Sequence, residues 1–564
     1  MPDDLRVRLD AWLADDPDER DRVELEALAA DDGGAAADEL ADRFSGRLEF
    51  GTAGLRGTIG AGPNRMNRAV VRGTTAALAR WLLGRGRGIA GTGAAEAGVV
   101  IGCDARHRSD EFADEAARVL AGAGIRVHLL PRQQPTPLLA FAVRHLHAAA
   151  GIMITASHNP PAYNGYKLYL RDGAQIIPPA DAEIEAEIRS IGQLSAVPLA
   201  PPDSPLIVQH DDEVARAYLD LICATSPAPP DAAWLRFVYT PLHGVAGTLA
   251  MRAFEQAGFT PPDLVAAQAE PDPDFPSVTF PNPEEPGTLD LAVAQARRSG
   301  ADLVLANDPD GDRLAVAVAD PSAPGGWRTL TGDQLGALLG AYLLQNSPPE
   351  PDRLVVSTIV SSTLLSKIAA AAGAQYAETL TGFKWIVRAG DTRPGSRFIF
   401  GYEEALGYTV GDTVRDKDGI GAALALLGLA ARARSGGESL LDVYDALEMT
   451  HGVHLTAQVT VAGTAPVDVM ARLRAAPPIK FGDLPVATIT DLTGGTWNLP
   501  SADVLSYSLV GARVVIRPSG TEPKIKAYLE VVEPVIGGRL AQARQVAGAR
   551  LGPLREATVT LLGS

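Results

Sequence analysis

The sequence predicts an α/β protein built from several domains, and three observations predict it. At 564 residues the chain exceeds what a single hydrophobic core serves, so three or four domains are expected. From about residue 98 to residue 434, short apolar runs alternate with segments of helical period, the pattern of parallel or mixed sheets covered by helices. From about residue 447 that alternation fades and strands dominate, as at 455–461 and 512–516.

Composition narrows the function classes. Hydrophobic residues make up 46% and charged residues 21%, as in ordinary globular proteins. The net charge of −18 argues against a nucleic-acid partner, whose footprint would be basic. Cys103 and Cys223 are the only cysteines, which excludes a disulfide framework and a thiolate metal site and makes a reducing cytoplasm the expected setting. The start, Met1-Pro-Asp-Asp-Leu, lacks the apolar stretch of a signal peptide, and no run of about 18 apolar residues predicts a membrane span.

In chain order, residues 2–44 are acidic, alanine-rich and helical in period, and predict one or two helices packed on the first domain. Phe50-Gly-Thr-Ala-Gly-Leu-Arg-Gly57 combines glycines, whose backbone N–H groups can converge, with the fixed cation of Arg56. That set suits a phosphate; taken alone it also reads as a tight turn with a surface arginine. A helix is predicted over 69–84, a strand over 98–102, a helix over 111–123 and a strand over 126–130. Gly86, Gly88 and Gly91 form a GxGxxG that follows a helix and precedes a strand, the reverse of a dinucleotide fingerprint, and read as a loop. Asp104-Ala-Arg106 and His243 read as structural.

The stretch Thr155-Ala-Ser-His-Asn-Pro-Pro-Ala-Tyr-Asn-Gly-Tyr-Lys167 carries the sharpest signal. An apolar strand at 148–154 feeds into Ser157 and His158. Pro160-Pro161 then forbids helix and ladder bonding, and Asn164-Gly165 turns the chain back. A hydroxyl beside an imidazole on a stiff loop is a sound way to present a nucleophile. A second strand, in residues 301–307, runs into Asp308, Asp310 and Asp312. Three carboxylates this close repel unless something neutralises them, and a hard divalent cation with oxygen ligands does so. The spacing begins like an EF-hand, but Arg313 and Ala319 occupy the sixth and twelfth positions and fail that test.

Linkers are predicted at 195–205 and 321–326, and a third alternation follows with helices over 331–344 and 364–372 around a strand at 354–359. It brings Thr381-Gly-Phe-Lys-Trp385, then Glu403 and Glu404 just past an apolar strand, where carboxylates can grip sugar hydroxyls; taken alone they equally read as a solvated turn. Arg415-Asp-Lys-Asp-Gly419 precedes a helix over 420–434; taken alone, Lys417 passes as a surface charge beside a helix cap. Near the end, Arg517, Ser519, Gly520 and Thr521 supply a guanidinium, two hydroxyls and open backbone, an inventory for a phosphate dianion.

These segments, in this order, resemble those of the α-D-phosphohexomutases, the phosphoglucomutase and phosphomannomutase family. The Thr-Ala-Ser-His-Asn-Pro-Pro loop is similar to the family's active-site loop, whose serine carries a phosphoryl group. Asp308 to Arg313 resembles its magnesium loop, residues 402–407 its sugar-binding loop, and residues 517–521 its phosphate-binding loop. Ala405 stands where the family's sugar loop has serine. In this the chain looks more like the branch associated with phosphopentomutase and glucose-1,6-bisphosphate synthesis.

The resemblance implies four domains around a central cleft: three related α/β units with mixed sheets and a smaller C-terminal α+β domain, at 1–205, 206–323, 324–446 and 447–564. It implies a cytoplasmic mutase interconverting glucose 1-phosphate and glucose 6-phosphate through a phosphoserine and a sugar bisphosphate. Pentose and mannose phosphates are the alternatives. Mg²⁺ would be held by Ser157 (through its phosphoryl group), Asp308, Asp310 and Asp312, with glucose 1,6-bisphosphate as activator. Arg56 and Arg313 would add cationic contacts, and His158, Lys167 or Lys417 would take the sugar's proton. Thr381, Gly382 and Glu403 would read the ring, while Arg517, Ser519, Gly520 and Thr521 would hold the idle phosphate. A phosphosugar is the expected partner, without nucleic acid or membrane, for a monomer or small homo-oligomer.

Two other readings compete. A haloacid-dehalogenase-type phosphatase would use Asp308 in Asp-x-Asp-Gly as nucleophile, but Asp312 departs from its pattern and the Ser157 loop is left unexplained. A non-catalytic phosphosugar sensor would need neither an intact carboxylate loop nor a nucleophile.

Overall fold

The computed structural model describes residues 1–51, 54–84, 93–463, 465–496, 498–519 and 524–563, without the side chain of residue 231. The glycine-rich match at Gly86, Gly88 and Gly91 lies outside the described residues, as do Gly520 and Thr521. The chain divides into two compact units: Met1–Arg328 with Asp412–Leu424, and Thr329–Gly411 with Ala425–Ser564.

The first unit opens with three helices, Asp3–Asp15, Glu19–Ala30 and Gly34–Arg43, where one or two are expected from the sequence. The breaks have local causes: between the second and third helices Asp31 Oδ1 accepts from the Gly33 N–H at 2.8 Å. Pro17 cannot continue a helix, and Asp18 caps the second helix by accepting from the Arg20 backbone N–H. Leu5, Leu9, Leu25, Leu40 and Phe44 close these helices into a small core of their own.

Two sheets follow. The first contains β1 (Leu55–Thr58), β2 (Val99–Cys103), β3 (Val127–Leu129), β4 (Ala150–Ile154), β5 (Tyr163–Leu170) and β6 (Ile207–Gln209), ordered β1-β5-β4-β2-β3-β6. The second contains β7 (Phe237–Thr240), β8 (Asp263–Leu264), β9 (Leu303–Asn307), β10 (Leu314–Ala319) and β11 (Trp327–Thr329), ordered β11-β10-β9-β7-β8. Strands β2 and β4 are buried at every position, which is why their sequences read as continuous apolar runs rather than alternating ones.

The second unit holds a four-stranded sheet of β12 (Arg353–Thr358), β13 (Gln375–Thr379), β14 (Arg397–Glu403) and β15 (Gly407–Val410), ordered β13-β12-β14-β15. Beside it is a six-stranded sheet of β16 (Val453–Ala462), β17 (Lys480–Phe481), β18 (Leu484–Asp491), β19 (Leu505–Leu509), β20 (Ala512–Pro518) and β21 (Lys524–Glu533). All its pairings are antiparallel, as the change of rhythm near residue 447 predicts.

The first three sheets share one plan that no sequence repeat announces. In each, the earliest strand of the motif lies between two parallel neighbours, and the third strand pairs with an antiparallel fourth. The sets are β3-β2-β4-β5, β8-β7-β9-β10 and β13-β12-β14-β15. The turn between third and fourth strands carries Ser157 in the first sheet, the three aspartates in the second and Glu404 in the third.

Within the second unit, loops of the four-stranded sheet dock on the C-terminal sheet. Ile359, Val360 and Leu380 pack with Val515 and Tyr528. Beside that apolar patch Glu530 accepts from Ser362 Oγ (2.8 Å) and the Thr363 N–H (2.8 Å), and pairs with Arg513 (3.2 Å) and His454 (3.1 Å). Burial works to raise the Glu530 carboxyl pKa, but the His454 hydrogen bond and the Arg513 charge outweigh it and hold the pKa down to about 2. The folded pKa lies below the unfolded value of 4.5, so the stabilisation is present above pH 4.5 and fades as pH falls from there toward 2. Glu530→Gln is expected to cost about 3 kcal/mol at pH 7. The gap to the natural protein should narrow in urea unfolding repeated at pH 3, and a gap independent of pH would refute the assignment.

Candidate active site

The Ser157 loop is held by its backbone. Arg106, at the end of β2 and almost fully buried, donates to the carbonyls of Ser157 (2.7 Å), Pro160 (2.9 Å) and Tyr163 (3.2 Å), and to that of Asn159. Asp104 balances its charge at 3.4 Å and accepts from Ser109 Oγ (2.6 Å). Pro160 and Pro161 cannot take a ladder bond, and the guanidinium supplies the order that a strand would have given. Ser157 itself sits at φ 52°, in the left-handed region, with its N–H on Thr155 Oγ1 at 2.9 Å. A serine there is strained by about 1–2 kcal/mol.

The aspartate loop is equally fixed. Asn307 Nδ2 donates to the Arg313 carbonyl (2.7 Å), and the Arg313 N–H donates to Asp308 Oδ1 (2.9 Å), closing the turn across β9 and β10. The Val245 N–H holds the Pro309 carbonyl (2.8 Å) and the Thr136 N–H that of Asp310 (2.9 Å). Gly244 has to be glycine, because a Cβ there would meet Pro309 Cα at 2.4 Å.

The two loops meet. Ser157 Oγ donates to Asp308 Oδ2 at 2.9 Å and lies 3.1 Å from His158 Nδ1. Asp308, Asp310 and Asp312 are buried, with carboxylate oxygens within 4.8 Å of one another. Lys167, on β5, donates to Asp310 (2.6 Å) and Asp312 (3.1 Å), Lys417 lies 3.3 Å from Asp312, and Thr136 Oγ1 donates to Asp310 (2.6 Å). Burial and the two neighbouring carboxylates push Asp308 well above the usual carboxylate range. Burial presses Asp310 the same way, but the Lys167 ammonium overcomes it and holds Asp310 below that range. Burial, with the Arg313 and Arg56 charges, keeps the His158 imidazole neutral.

This donor set fits a hard divalent cation. All donors are carboxylate oxygens, and Asp310 Oδ1 and Asp312 Oδ1 are buried without a hydrogen-bond donor among the described residues.

Arg56 and Arg313 lie in the same unit as these two centres. Arg56, on β1, donates to Asn159 Oδ1 (3.0 Å), and Arg313 pairs with Glu284 (3.1 Å). In the second unit a separate set forms. Arg517 donates to Thr381 Oγ1 (3.1 Å), Gly382 adopts φ 110° before the short helix Phe383–Ile386, and the Ser519 N–H holds the Lys524 carbonyl (2.8 Å). Glu403 ends β14, and next to it Glu404 takes hydrogen bonds from Thr358 Oγ1 (3.3 Å) and Ser361 Oγ (3.2 Å). Burial, then the Glu403 and Asp333 charges, push the Glu404 carboxyl up to about 7. Arg106, Thr136 and Asn307 carry no functional expectation from the sequence. Arg106 and Thr136 act on residues distant in the chain, and Asn307 on a backbone carbonyl that no side-chain pattern marks.

A serine hydroxyl set on a buried cage for a hard cation is the equipment of a phosphoryl-transfer enzyme. The chain belongs to the phosphoglucomutase/phosphomannomutase family, and is therefore an isomerase of the phosphotransferase kind. Residues 47–195, 216–323 and 331–449 match that family's alpha/beta/alpha domains I, II and III, and residues 458–544 match its C-terminal domain. The "Probable phosphomannomutase" of Haemophilus influenzae is 40% identical, over 82% of this chain and 93% of the relative. The "Probable phosphoribomutase" of Schizosaccharomyces pombe is 37% identical over 93% of each. A phosphoglucomutase of Staphylococcus aureus is 35% identical over 88% and 92%. Among solved structures, a phosphoglucomutase/phosphomannomutase family protein from Burkholderia thailandensis shares the fold with a TM-score of 0.67, at 23% identity over 91% of this chain and 98% of that one. Among the described residues no helix is long and apolar enough to cross a membrane.

Arg106→Lys keeps the charge but cannot serve four carbonyls at once. It is expected to speed amide exchange across residues 155–160 while leaving β7–β10 protected, and to lower mutase turnover about tenfold or more. Unchanged exchange in the loop would refute the clamp.

Proposed function

We propose that this enzyme interconverts glucose 1-phosphate and glucose 6-phosphate through a phosphorylated Ser157 and a sugar bisphosphate. The observation that carries the reading is the 2.9 Å contact of Ser157 Oγ with Asp308 inside the three-carboxylate cage. The sugar hydroxyl attacks the phosphorus on Ser157. A P–O bond to the sugar forms, the bond to Oγ breaks, and the proton passes to a base. The bisphosphate then presents its other phosphate, Oγ attacks it, and the second P–O bond to sugar breaks to restore phosphoserine.

In this reading Asp308, Asp310 and Asp312 hold Mg²⁺, which supplies charge neutralisation at the transferring phosphoryl oxygens. Arg56 and Arg313 add positive charge near the loop. His158, Lys167 and Lys417 are the candidate bases. His158 faces Oγ at 3.1 Å, whereas Lys167 is engaged by two carboxylates. Thr381, Gly382 and Glu403 read the sugar, and Arg517 and Ser519, with Gly520 and Thr521, grip the phosphate that is not reacting. Glucose 1,6-bisphosphate serves as activator. The same proposal divides the chain at 1–205, 206–323, 324–446 and 447–564, and places the enzyme in the cytoplasm as a monomer or small homo-oligomer acting on free phosphosugars.

A pentose phosphate is the second reading. Ala405 supplies no hydroxyl in the turn after Glu403, and a phosphoribomutase is among the relatives. Side-by-side assays of glucose 1-phosphate, mannose 1-phosphate and ribose 1-phosphate, with Mg²⁺ and bisphosphate, decide among them by kcat/KM. Ser157→Ala is expected to lose at least about 10³-fold in turnover on the preferred sugar, together with the single phosphate seen by intact mass. Retained turnover in Ser157→Ala would return Asp308 to consideration as the nucleophile.

A further inference from the structure

Strand β5 points Lys167 and Tyr169 to the same side, two residues apart. Lys167 reaches the aspartate cage. Tyr169 reaches Asp416, in the segment Asp412–Leu424 that packs with the first unit although it follows β15 in the chain. The Tyr169 hydroxyl donates to Asp416 Oδ2 at 2.6 Å, and Gln175 Nε2 donates to the same oxygen at 2.9 Å. Gln175 is delivered by a backbone bridge to Tyr169 after the turn at residues 171–174. The other oxygen, Asp416 Oδ1, takes the Lys417 backbone N–H at 2.8 Å and lies 3.4 Å from Lys417 Nζ. The ammonium spans from there to Asp312 Oδ2 at 3.3 Å. Asp416 is 1% exposed and Tyr169 fully buried, so neither group trades these partners for water.

Anchoring of the segment is otherwise provided for. Asp418 accepts from Tyr218 (2.8 Å) and from the Ile420 and Gly421 N–H groups, capping the helix Gly419–Ser435. Gly419 lies so close to the Arg313 carbonyl that a Cβ would meet it at 2.3 Å. A second buried carboxylate that only fastened the segment would have no reason to face the lysine.

We propose that Asp416, oriented by Tyr169 and Gln175, is a positioning residue that sets the Lys417 ammonium against Asp312 at the cation cage. Lys417 and Lys167 both approach Asp312, and like charges repel. A carboxylate behind Lys417 offsets that repulsion and fixes where Nζ stands. The inference rests on the mutase reading of this site and names residues that reading does not use.

The test is a double-mutant cycle on the preferred sugar phosphate with Mg²⁺. Asp416→Asn is expected to lower kcat about 10–100-fold with KM within about twofold. Tyr169→Phe, which removes one oxygen, should lower it by a smaller factor. In a Lys417→Ala background both changes should alter kcat by less than about twofold, because their effect passes through Lys417. Losses that multiply unchanged in that background overturn the proposal. If Asp416→Asn does not fold, the Tyr169→Phe cycle decides alone. Independently of turnover, acylation of Lys417 by an amine reagent, followed by peptide mass spectrometry, should be several times faster in both variants than in the natural protein. An unchanged rate overturns the placement even if no sugar phosphate is turned over, a result that would separately sink the mutase reading.

Discussion

The constraint on which the site depends is the confinement of three carboxylates in a buried loop. At separations below 4.8 Å, two such charges repel by about 3–4 kcal/mol at an effective dielectric near 20. The surrounding structure supplies the opposing terms. Two lysines approach from different parts of the chain, a threonine hydroxyl and a backbone N–H donate to the carboxylates, and two oxygens are left for a cation. An apolar lining alone would drive these carboxyls to hold their protons. Lys167 and Lys417 instead gather positive charge there, against the −18 of the whole chain, and offset the repulsion among the carboxylates.

The same confinement accounts for the rigidity around it. The Arg106 clamp and the Asn307 closure spend buried polar groups on holding backbone rather than on touching substrate. Such groups lower the reorganisation that any change of charge at the loop would require. A loop of two prolines and a left-handed serine would otherwise sample many shapes.

How much of this was legible in the sequence follows from the range of each interaction. Ser157 with His158, and the alternating aspartates, are local patterns written between apolar strands, and the structure brings the two together. Arg106, Thr136 and Asp416 act on residues distant in sequence, so no window of neighbours could reveal their partners. Residues 2–44 hold three helices where one or two are expected, because the breaks at Pro17 and at residues 31–33 interrupt a stretch whose period is helical throughout. The kinship of the first three sheets, implied by the resemblance, shows as no sequence repeat for a different reason. It lies in strand order, which buried strands of interchangeable valine, isoleucine, leucine and alanine do not record.

That shared order also explains where the chemistry sits. A parallel strand ends at one edge of its sheet and normally needs a long crossover to continue. Here the third strand instead turns straight back into an antiparallel fourth. The turn is therefore short, anchored by ladder bonds on both sides, and projects from the carboxyl end of a buried strand, where open α/β sheets place their ligands. Built three times, the device yields three turns whose contents are free to differ, because the ladders fix where each turn begins and ends while contacts such as the Arg106 clamp shape the turn itself. A hydroxyl occupies the first, three carboxylates the second and Glu404 the third. Divergence of loop chemistry on a retained ladder thus lets one sheet plan carry a hydroxyl, a carboxylate cage or a glutamate without rebuilding its core.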